Sequence, residues 1–249
     1  MAHAWMTDAR RIRGATDGGP LHGGAPRAVW LTLDGMPTGS SIQLAARRLV
    51  SQGRPCHLIW NPATGDTAQL ISALRAGCAL STPDPPHESG HVRRTNVNTE
   101  GRVCMQIGVL SDEEPFTDGP LTGLASIMNW LDSWKVPRVW PAGKPSSQGR
   151  PPRSRALWAR GGHFGATQVP GCVTGGPGPI DPARLTGTQL HELRSLDEAV
   201  AVPALRRPAL KPLARRRARP VTGAGGGAGP RRPGGPGPGG SRRIPGRPR

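Results

Sequence analysis

The sequence contains no tyrosine, only two phenylalanines and no long apolar run. A membrane-spanning helix needs ~18 consecutive apolar residues, and no window approaches this length, so no membrane span is expected. The first 19 residues carry charges where a secretory signal would have an apolar segment. We therefore expect the chain to have no signal peptide and to be cytoplasmic as synthesised.

Cysteine is also scarce, and its spacing excludes the common structural zinc modules. The four cysteines are Cys56, Cys78, Cys104 and Cys172. They form no CxxC pair and have no histidine at zinc-finger spacing. In the absence of a secretory signal, free thiols are favoured over disulfides.

Acidic residues are absent from the C-terminal end of the chain. Positions 203–249 carry 13 Lys and Arg residues and no acid, which leaves 20 basic and 16 acidic residues in the first 202. Composition predicts a flexible N-terminal arm over 1–26, one folded domain over 27–200 and a disordered Arg/Pro/Gly-rich tail over 201–249. The tail suits weak contact with nucleic acid or anionic polymers. Alternatively it has no evolved role, because GC-rich codons read in a shifted frame give the same composition.

Apolar periodicity predicts an α/β (α+β) fold with a single mixed β-sheet flanked by helices. The predicted elements are a strand at 27–33, a helix at 40–52, a hairpin of 56–60 and 66–71, one or two helical turns at 72–81, a buried strand at 101–110, and helices at 121–134 and 182–200. Glycine and proline are dense over 161–181, which predicts a long irregular loop there.

Five segments occur in the order of a known family. They read RAVWLTLDG, HLIWNPATGDTAQLISALRA, RTNVNTEGRVCMQIGVL, PFTDGPLTGLASIMNWLDSWKVPRVWPAG and GGHFGATQVPG with GGPGPID, and they cover about 27–185. Together they resemble the N-acetylmuramoyl-L-alanine amidases related to peptidoglycan recognition proteins, in the actinobacterial and phage-type branch. The resemblance implies a mixed sheet, a groove for peptidoglycan fragments, and a zinc ion held by two histidines and an Asp or Cys. In such enzymes the metal activates water for hydrolysis of the amide bond between the lactyl group and L-alanine.

Each matched catalytic position holds a residue without a metal-binding atom. The first histidine corresponds to Leu31, the second to Ala166 before a TQVP run, and the third ligand to Gly176 before Pro-Gly. The strand glutamate of the family corresponds to Gly108. The resemblance therefore implies a member with a degenerate zinc site, without bound zinc, that at most binds muramyl peptides. Its catalytic residues are unknown, and whether it is an enzyme stays open.

An active zinc amidase with non-standard ligands is the first alternative. His163 lies three residues before Ala166, and Cys172 offers a thiolate. These two residues would supply at most two ligands, whereas a catalytic zinc normally has three from the protein.

Several polar or aromatic residues are candidates for the substrate groove that the resemblance implies. They are Trp60, Asn61, Arg75, Thr95, Asn96 and His163. By contrast, Trp130 and Trp134 lie on or beside the apolar stripe of the helix predicted at 121–134, and we interpret them as packing residues.

The segment 96–104 offers another alternative. It resembles the active-cysteine segment of ubiquitin-conjugating enzymes, in which HPN is followed by a short spacer and G-x-V-C; here Arg94 and Thr95 replace His-Pro. Cys104 would be the nucleophile. It also lies in an apolar strand pattern, where a buried structural thiol is the usual outcome. A third alternative is a basic protein that binds nucleic acid through its tail.

Overall fold

A mixed six-stranded β-sheet runs through the residues that the computed structural model describes, which are 1–80, 96–112, 115–146, 154–172 and 176–187. The strands are β1 (Arg10–Arg11), β2 (Arg27–Thr32), β3 (Leu58–Trp60), β4 (Thr67–Gln69), β5 (Cys104–Val109) and β6 (Gly162–Gly165). Their spatial order is β1-β4-β3-β5-β2-β6. The described helices are α1 (Ile42–Ser51), α2 (Leu124–Ser133), α3 (Arg155–Ala159) and α4 (Pro182–Thr186). The predicted α/β class with a single mixed sheet is confirmed.

The described residues all belong to the first of two compact units, Met1–Pro203. The second unit, Ala204–Arg249, lies outside the described residues, as does the predicted tail over 201–249. None of the described helices is long and apolar enough to cross a membrane.

Strand β2 lies between β5 and β6 and is parallel to both. β5 is also parallel to β3, and β3 and β4 form the antiparallel hairpin that the sequence predicts. Every residue of β2 and of β5 is buried. Their near-continuous apolar composition is typical of strands covered on both faces, and the predictions at 27–33 and 101–110 are confirmed.

The sheet separates two apolar clusters, because side chains alternate along each strand. Val29 and Leu31 of β2 lie in the cluster that includes the buried side of α1, and we call this side of the sheet the α1 face. Ala28 and Trp30 lie in the cluster that includes the buried side of α2, which defines the α2 face.

The two longer helices lie close to their predicted positions. α1 begins after Ser41, whose hydroxyl accepts a hydrogen bond from the Leu44 N–H at 3.2 Å. α2 begins at Leu124 rather than at 121, because Gly123 has a left-handed backbone with φ +82°. A Cβ at Gly123 would lie 2.9 Å from the carbonyl oxygen of Gly65, so glycine also permits this close approach.

The predicted irregular loop at 161–181 is wrong at its start, where β6 forms. Gly162 has φ +97°, and a Cβ there would lie 2.6 Å from the carbonyl oxygen of Val139. The same carbonyl accepts a hydrogen bond from the His163 N–H at 2.8 Å. The glycines that suggested a loop therefore allow this edge strand to pack closely between β2 and the segment around Val139.

The first 26 residues pack against the sheet rather than forming the loose arm that composition predicts. β1 pairs with β4, so the edge of β4 is covered. Met6 is buried, and the carbonyl oxygen of His3 accepts hydrogen bonds from the indole N–H groups of Trp130 and Trp134 at 2.9 and 3.0 Å. These contacts agree with the packing role predicted for both tryptophans.

Of two further predicted helical segments, one contains no helix in its described part and the other is shorter than expected. The described part of 72–81 contains turns and no helix. The helix predicted at 182–200 is α4, which ends at Thr186 because Gly187 has a left-handed backbone with φ +74°. Residues beyond Gly187 lie outside the described part of the chain.

Candidate functional site

Three of the four positions matched to catalytic residues lie side by side in the sheet. Leu31 of β2 is paired with Gly108 of β5. Ala166 directly follows Gly165, the residue paired with Trp30, and begins the 3-10 turn at the end of β6. Leu31 and Ala166 belong to the cluster on the α1 face. The three positions therefore occupy one face at the carboxyl ends of three neighbouring parallel strands, the edge at which open α/β sheets bind ligands.

The fourth matched position, Gly176, is near the same edge. Its neighbour Pro177 has its Cδ 3.7 Å from the place of a Cβ on Gly165, the last residue of β6. Gly176 has φ +60° and no side chain to contribute. Because Gly165 is paired with Trp30, this contact lies on the α2 face, whereas Leu31 and Ala166 lie on the α1 face. None of the four matched positions carries a polar side chain.

The space between the matched positions is filled by apolar atoms. A Cβ added to Gly108 would lie 2.9 Å from Cδ2 of Leu33 and 3.1 Å from Sγ of Cys56. Leu31 and Ala166 are themselves buried. A glutamate at Gly108 would therefore displace packed side chains, and the surrounding methyl groups offer no metal ligand. The residues present do not fit a zinc ion.

A cavity of about 240 Å³ opens next to this apolar cluster. Leu31 and Leu33 line it, together with Arg48, Arg54 and Asp34. Nη1 of Arg48 donates to the Gly35 carbonyl at 3.2 Å, and Nη2 of Arg54 donates to the Ala79 carbonyl at 3.2 Å. With two guanidinium groups and one carboxylate on its wall, the cavity carries a surplus of positive charge and favours anions.

His163, the fallback zinc ligand, lies on the opposite face of the sheet. It is fully buried, and its Nδ1 accepts a hydrogen bond from the Trp30 indole N–H at 3.0 Å. Its ring stacks on Trp30 and contacts Trp140, with centroids 6.0 and 5.5 Å apart. Burial lowers the pKa of His163 to about 3. His163 is therefore a neutral core residue.

Cys172, the second fallback ligand, is buried in the cluster on the α1 face. It lies on the other side of the sheet from the indole rings that contact His163, so the two residues do not share a site. No group of three or more His, Cys, Asp or Glu side chains among the described residues is arranged to hold a metal.

Two of the predicted groove residues have structural roles instead. Trp60 is fully buried, and its indole N–H donates to the Thr122 carbonyl at 2.8 Å. Asn61 is also buried; its amide donates to the Thr38 carbonyl at 2.8 Å and its Oδ1 accepts from the Ala63 N–H at 3.0 Å. Trp60 anchors α2 to the hairpin, and Asn61 holds the turn between β3 and β4.

The remaining groove candidates are dispersed. Arg75 forms an exposed ion pair with Asp17 at 2.9 Å. Asn96 caps a 3-10 turn by accepting from the Asn98 N–H at 3.1 Å. Thr95 lies outside the described residues. None of the five described candidates lines the cavity beside Leu31.

Cys104 occupies a position that disfavours nucleophilic chemistry. It is the first residue of β5 and is fully buried, and its thiol donates to the Val97 carbonyl at 3.8 Å. Burial raises the pKa of Cys104 to about 12. A nucleophilic cysteine needs access and thiolate character, and Cys104 has neither in this conformation.

The sequence reasoning missed Arg48 and Arg54, the two cations of the cavity. Arg48 lies near the end of α1, and Arg54 lies in the connection to β3. Basic residues at such positions are common in sequences. Only the packing of α1 against the sheet shows that these two arginines line a cavity. Comparisons of the chain with protein-family models, with curated proteins and with solved structures found no match.

Proposed function

We propose that this chain is an amidase-like protein that binds muramyl peptides in the cavity beside Leu31 and does not hydrolyse them. The observation that supports this proposal is the register of the sheet. Leu31 and Gly108 are paired across β2 and β5, and Ala166, just beyond the end of β6, lies in the same buried cluster as Leu31, although the three positions are far apart in the sequence. The sequence motifs that match these positions contain no information on strand pairing. Their proximity in the fold is what we expect if they derive from one ancestral site.

We expect no hydrolysis because the matched positions have no side-chain atoms that could bind a metal ion. Amide hydrolysis in this family needs a metal to polarise the carbonyl and to lower the pKa of the attacking water. The side chains at Leu31, Gly108 and Ala166 cannot bind a cation, and Leu33 and Cys56 fill the space that a glutamate would need. Hence no general base replaces the metal at this position.

The cavity retains features that suit a muramyl peptide. Such a ligand carries carboxylate and amide groups next to small methyl groups. Arg48 and Arg54 offer charge-assisted hydrogen bonds to a carboxylate, while Leu31 and Leu33 offer an apolar wall to the methyl groups. The volume of about 240 Å³ holds only part of the ligand, so the sugar would remain in solvent.

Titration of the full chain with muramyl dipeptide, followed by NMR or calorimetry, tests the proposal. Arg48→Gln removes one cation from the cavity and should weaken binding about ten-fold, the usual value of a charge-assisted hydrogen bond. Arg47→Gln is the matched control, because Arg47 is the adjacent exposed arginine of α1 and does not line the cavity.

Two results would contradict the proposal. The first is the absence of saturable binding, or equal affinity in the wild type and in Arg48→Gln. The second concerns hydrolysis alone: cleavage of the amide between the lactyl group and L-alanine in purified cell wall incubated with the protein and zinc would show an active amidase.

A further inference from the structure

A second arginine site lies at the other end of β2. Arg27, the first residue of the strand, is 3% exposed. Its Nη2 donates to the Trp158 carbonyl at 2.9 Å, and its Cζ lies 4.3 Å from the centroid of the Trp158 ring. Nε and Nη1 are buried and have no hydrogen-bond partner among the described residues. Unused donors on a buried cation are costly, so this arrangement requires a physical reason.

The Glu100 carboxylate, whose charge acts on Arg27, accepts its hydrogen bonds from other residues. Glu100 accepts two hydrogen bonds from Nη1 of Arg155, at 2.7 and 2.9 Å, and one from the Trp158 indole N–H at 2.7 Å. The negative charge of Glu100 favours the ionised form of Arg27 through space, whereas the one hydrogen bond of the Arg27 side chain within the described part of the chain goes to the Trp158 carbonyl. Two guanidinium groups thus share one carboxylate, and the cluster has a surplus positive charge.

A cavity of about 370 Å³ adjoins the cluster. Its wall includes two cations and one anion, Arg27, Arg155 and Glu100, together with Trp158, Gly23, Gly24 and Gly101. Pockets for small molecules begin at about 300 Å³, so the space suffices for a small ligand.

Gly101, which also lines the cavity, leaves room for Nη1 of Arg27. Gly101 has φ +108°, and a Cβ there would lie only 3.1 Å from Nη1 and 2.8 Å from the Ala25 carbonyl oxygen. Any other residue at position 101 would crowd the guanidinium group. Because position 101 is a glycine, only its backbone atoms lie next to Nη1 of Arg27.

We infer that this cavity binds a small oxyanion, a carboxylate or a phosphate, that accepts hydrogen bonds from Arg27 and is paired at the rim by Arg155. An oxyanion supplies both the missing acceptor and the missing negative charge. Because Arg27 and Leu31 are four residues apart along β2, the two sites are separated by about 13 Å of strand. The inference is thus independent of the muramyl-peptide proposal.

Entry of the ligand requires movement of the rim. Nε and Nη1 of Arg27 are covered in this conformation. The Arg155 side chain, which forms the rim, is 51% exposed and is held to Glu100 by a partly exposed ion pair. Glu100 is only 19% exposed, so when Arg155 turns toward an entering anion the Trp158 indole N–H remains as a donor to the Glu100 carboxylate.

The test is an NMR titration of the full-length protein labelled with nitrogen-15, which monitors the arginine Nε–H resonances assigned through the backbone. Inorganic phosphate and acetate are added separately at constant ionic strength. We expect a saturable shift of the Arg27 resonance. Arg155→Gln should weaken the apparent affinity about ten-fold, because one charge-assisted contact is lost. Arg138→Gln should bind as the wild type does, because the Arg138 side chain is similarly exposed and also forms an ion pair but does not line the cavity.

The two anions distinguish the source of the oxyanion. Saturation with phosphate alone identifies a phosphate-bearing ligand, and saturation with acetate identifies a carboxylate; either result supports the site. The inference is overturned if neither anion shifts the Arg27 resonance saturably, or if Arg155→Gln binds as tightly as the wild type. Both decisive measurements use proteins in which the buried Arg27 is retained, so they do not depend on the folding of an Arg27 variant.

Discussion

Lowering the pH from 7 to 5 should destabilise the protein strongly, because two histidines are buried in neutral form. His57 accepts a hydrogen bond from the Gln106 N–H through Nδ1 at 3.1 Å, and its Nε2 contacts the Arg75 carbonyl oxygen at 2.8 Å. His163 accepts from Trp30 within the aromatic cluster. Burial lowers the pKa of His57 to about 4 and that of His163 to about 3. A proton on Nδ1 of either ring would remove the acceptor of its present hydrogen bond, and it would place a positive charge in the core.

The sign follows from proton binding. In the unfolded chain a histidine has a pKa near 6.5, so between that pH and the folded pKa the unfolded state binds protons that the native state does not. Stability from the neutral rings is therefore complete above about pH 6.5 and is lost as the pH falls toward the folded values. From pH 7 to 5 the loss is about 2 kcal/mol for each histidine and about 4 kcal/mol for both. This is a large share of a typical free energy of unfolding of about 5–15 kcal/mol.

Urea unfolding at pH 7 and pH 5, in the wild type and in His163→Phe, measures this loss. Phenylalanine keeps a ring against Trp30 and Trp140 but does not titrate, so the difference between the two pH values should fall from about 4 to about 2 kcal/mol. The exposed ion pair of Asp17 does not interfere. Its hydrogen bond with Arg75 lowers the pKa of Asp17 below the ordinary value of 3.8, which places its titration below the pH range used.

Either of two results would refute the reasoning. If the wild type has the same free energy of unfolding at pH 5 and pH 7, the two rings are not held neutral by the core. If the loss is unchanged in His163→Phe, the proton is taken up elsewhere.

Two further predictions concern the thiols and a buried amide. A thiol reagent such as DTNB should modify one cysteine of the native protein rapidly, and Cys78→Ser should abolish that phase, because Cys78 is half-buried and the other three thiols are buried; rapid modification of a second thiol would contradict the burial pattern. Gln106→Leu should lower the free energy of unfolding in urea by about 2–4 kcal/mol, since it leaves the Ala79 N–H and the Asn98 Oδ1 without their contacts to the Gln106 amide, at 2.9 and 2.7 Å. The exposed Gln52→Leu serves as its control, and an equal effect would contradict the role of the buried network.

The elements that local pattern predicts are those with a clear apolar period. The strand at 27–33, the helix at 40–52 and the hairpin after Cys56 all form close to their predicted bounds. β1 and β6 escape prediction because Arg10–Arg11 and Gly162–Gly165 have no apolar alternation of their own. Both become strands by pairing with β4 and β2, and this long-range contact is not encoded in local propensity.

The candidate site, like the fold, has features that the sequence predicts and features that only strand pairing decides. The motifs alone identify positions 31, 108 and 166 and show that their side chains carry no ligand atoms. They do not show which face a nearby residue occupies, and so the sequence predicts Trp60 and His163 in a groove, whereas both side chains are buried. A shift of one residue along a strand exchanges its two faces, and only the pairing of strands decides between them.

Residue types and local periods thus determine the fold class, the main elements and the absence of metal-binding side chains at the positions that the resemblance matches. The tertiary structure alone decides which of these positions become neighbours, which rings are buried, and that Arg27 lies next to a cavity with donors unused. The reason is physical. Composition and period act within a few residues, whereas burial, register and the loss of hydration of a charge arise from chain segments that meet only on folding.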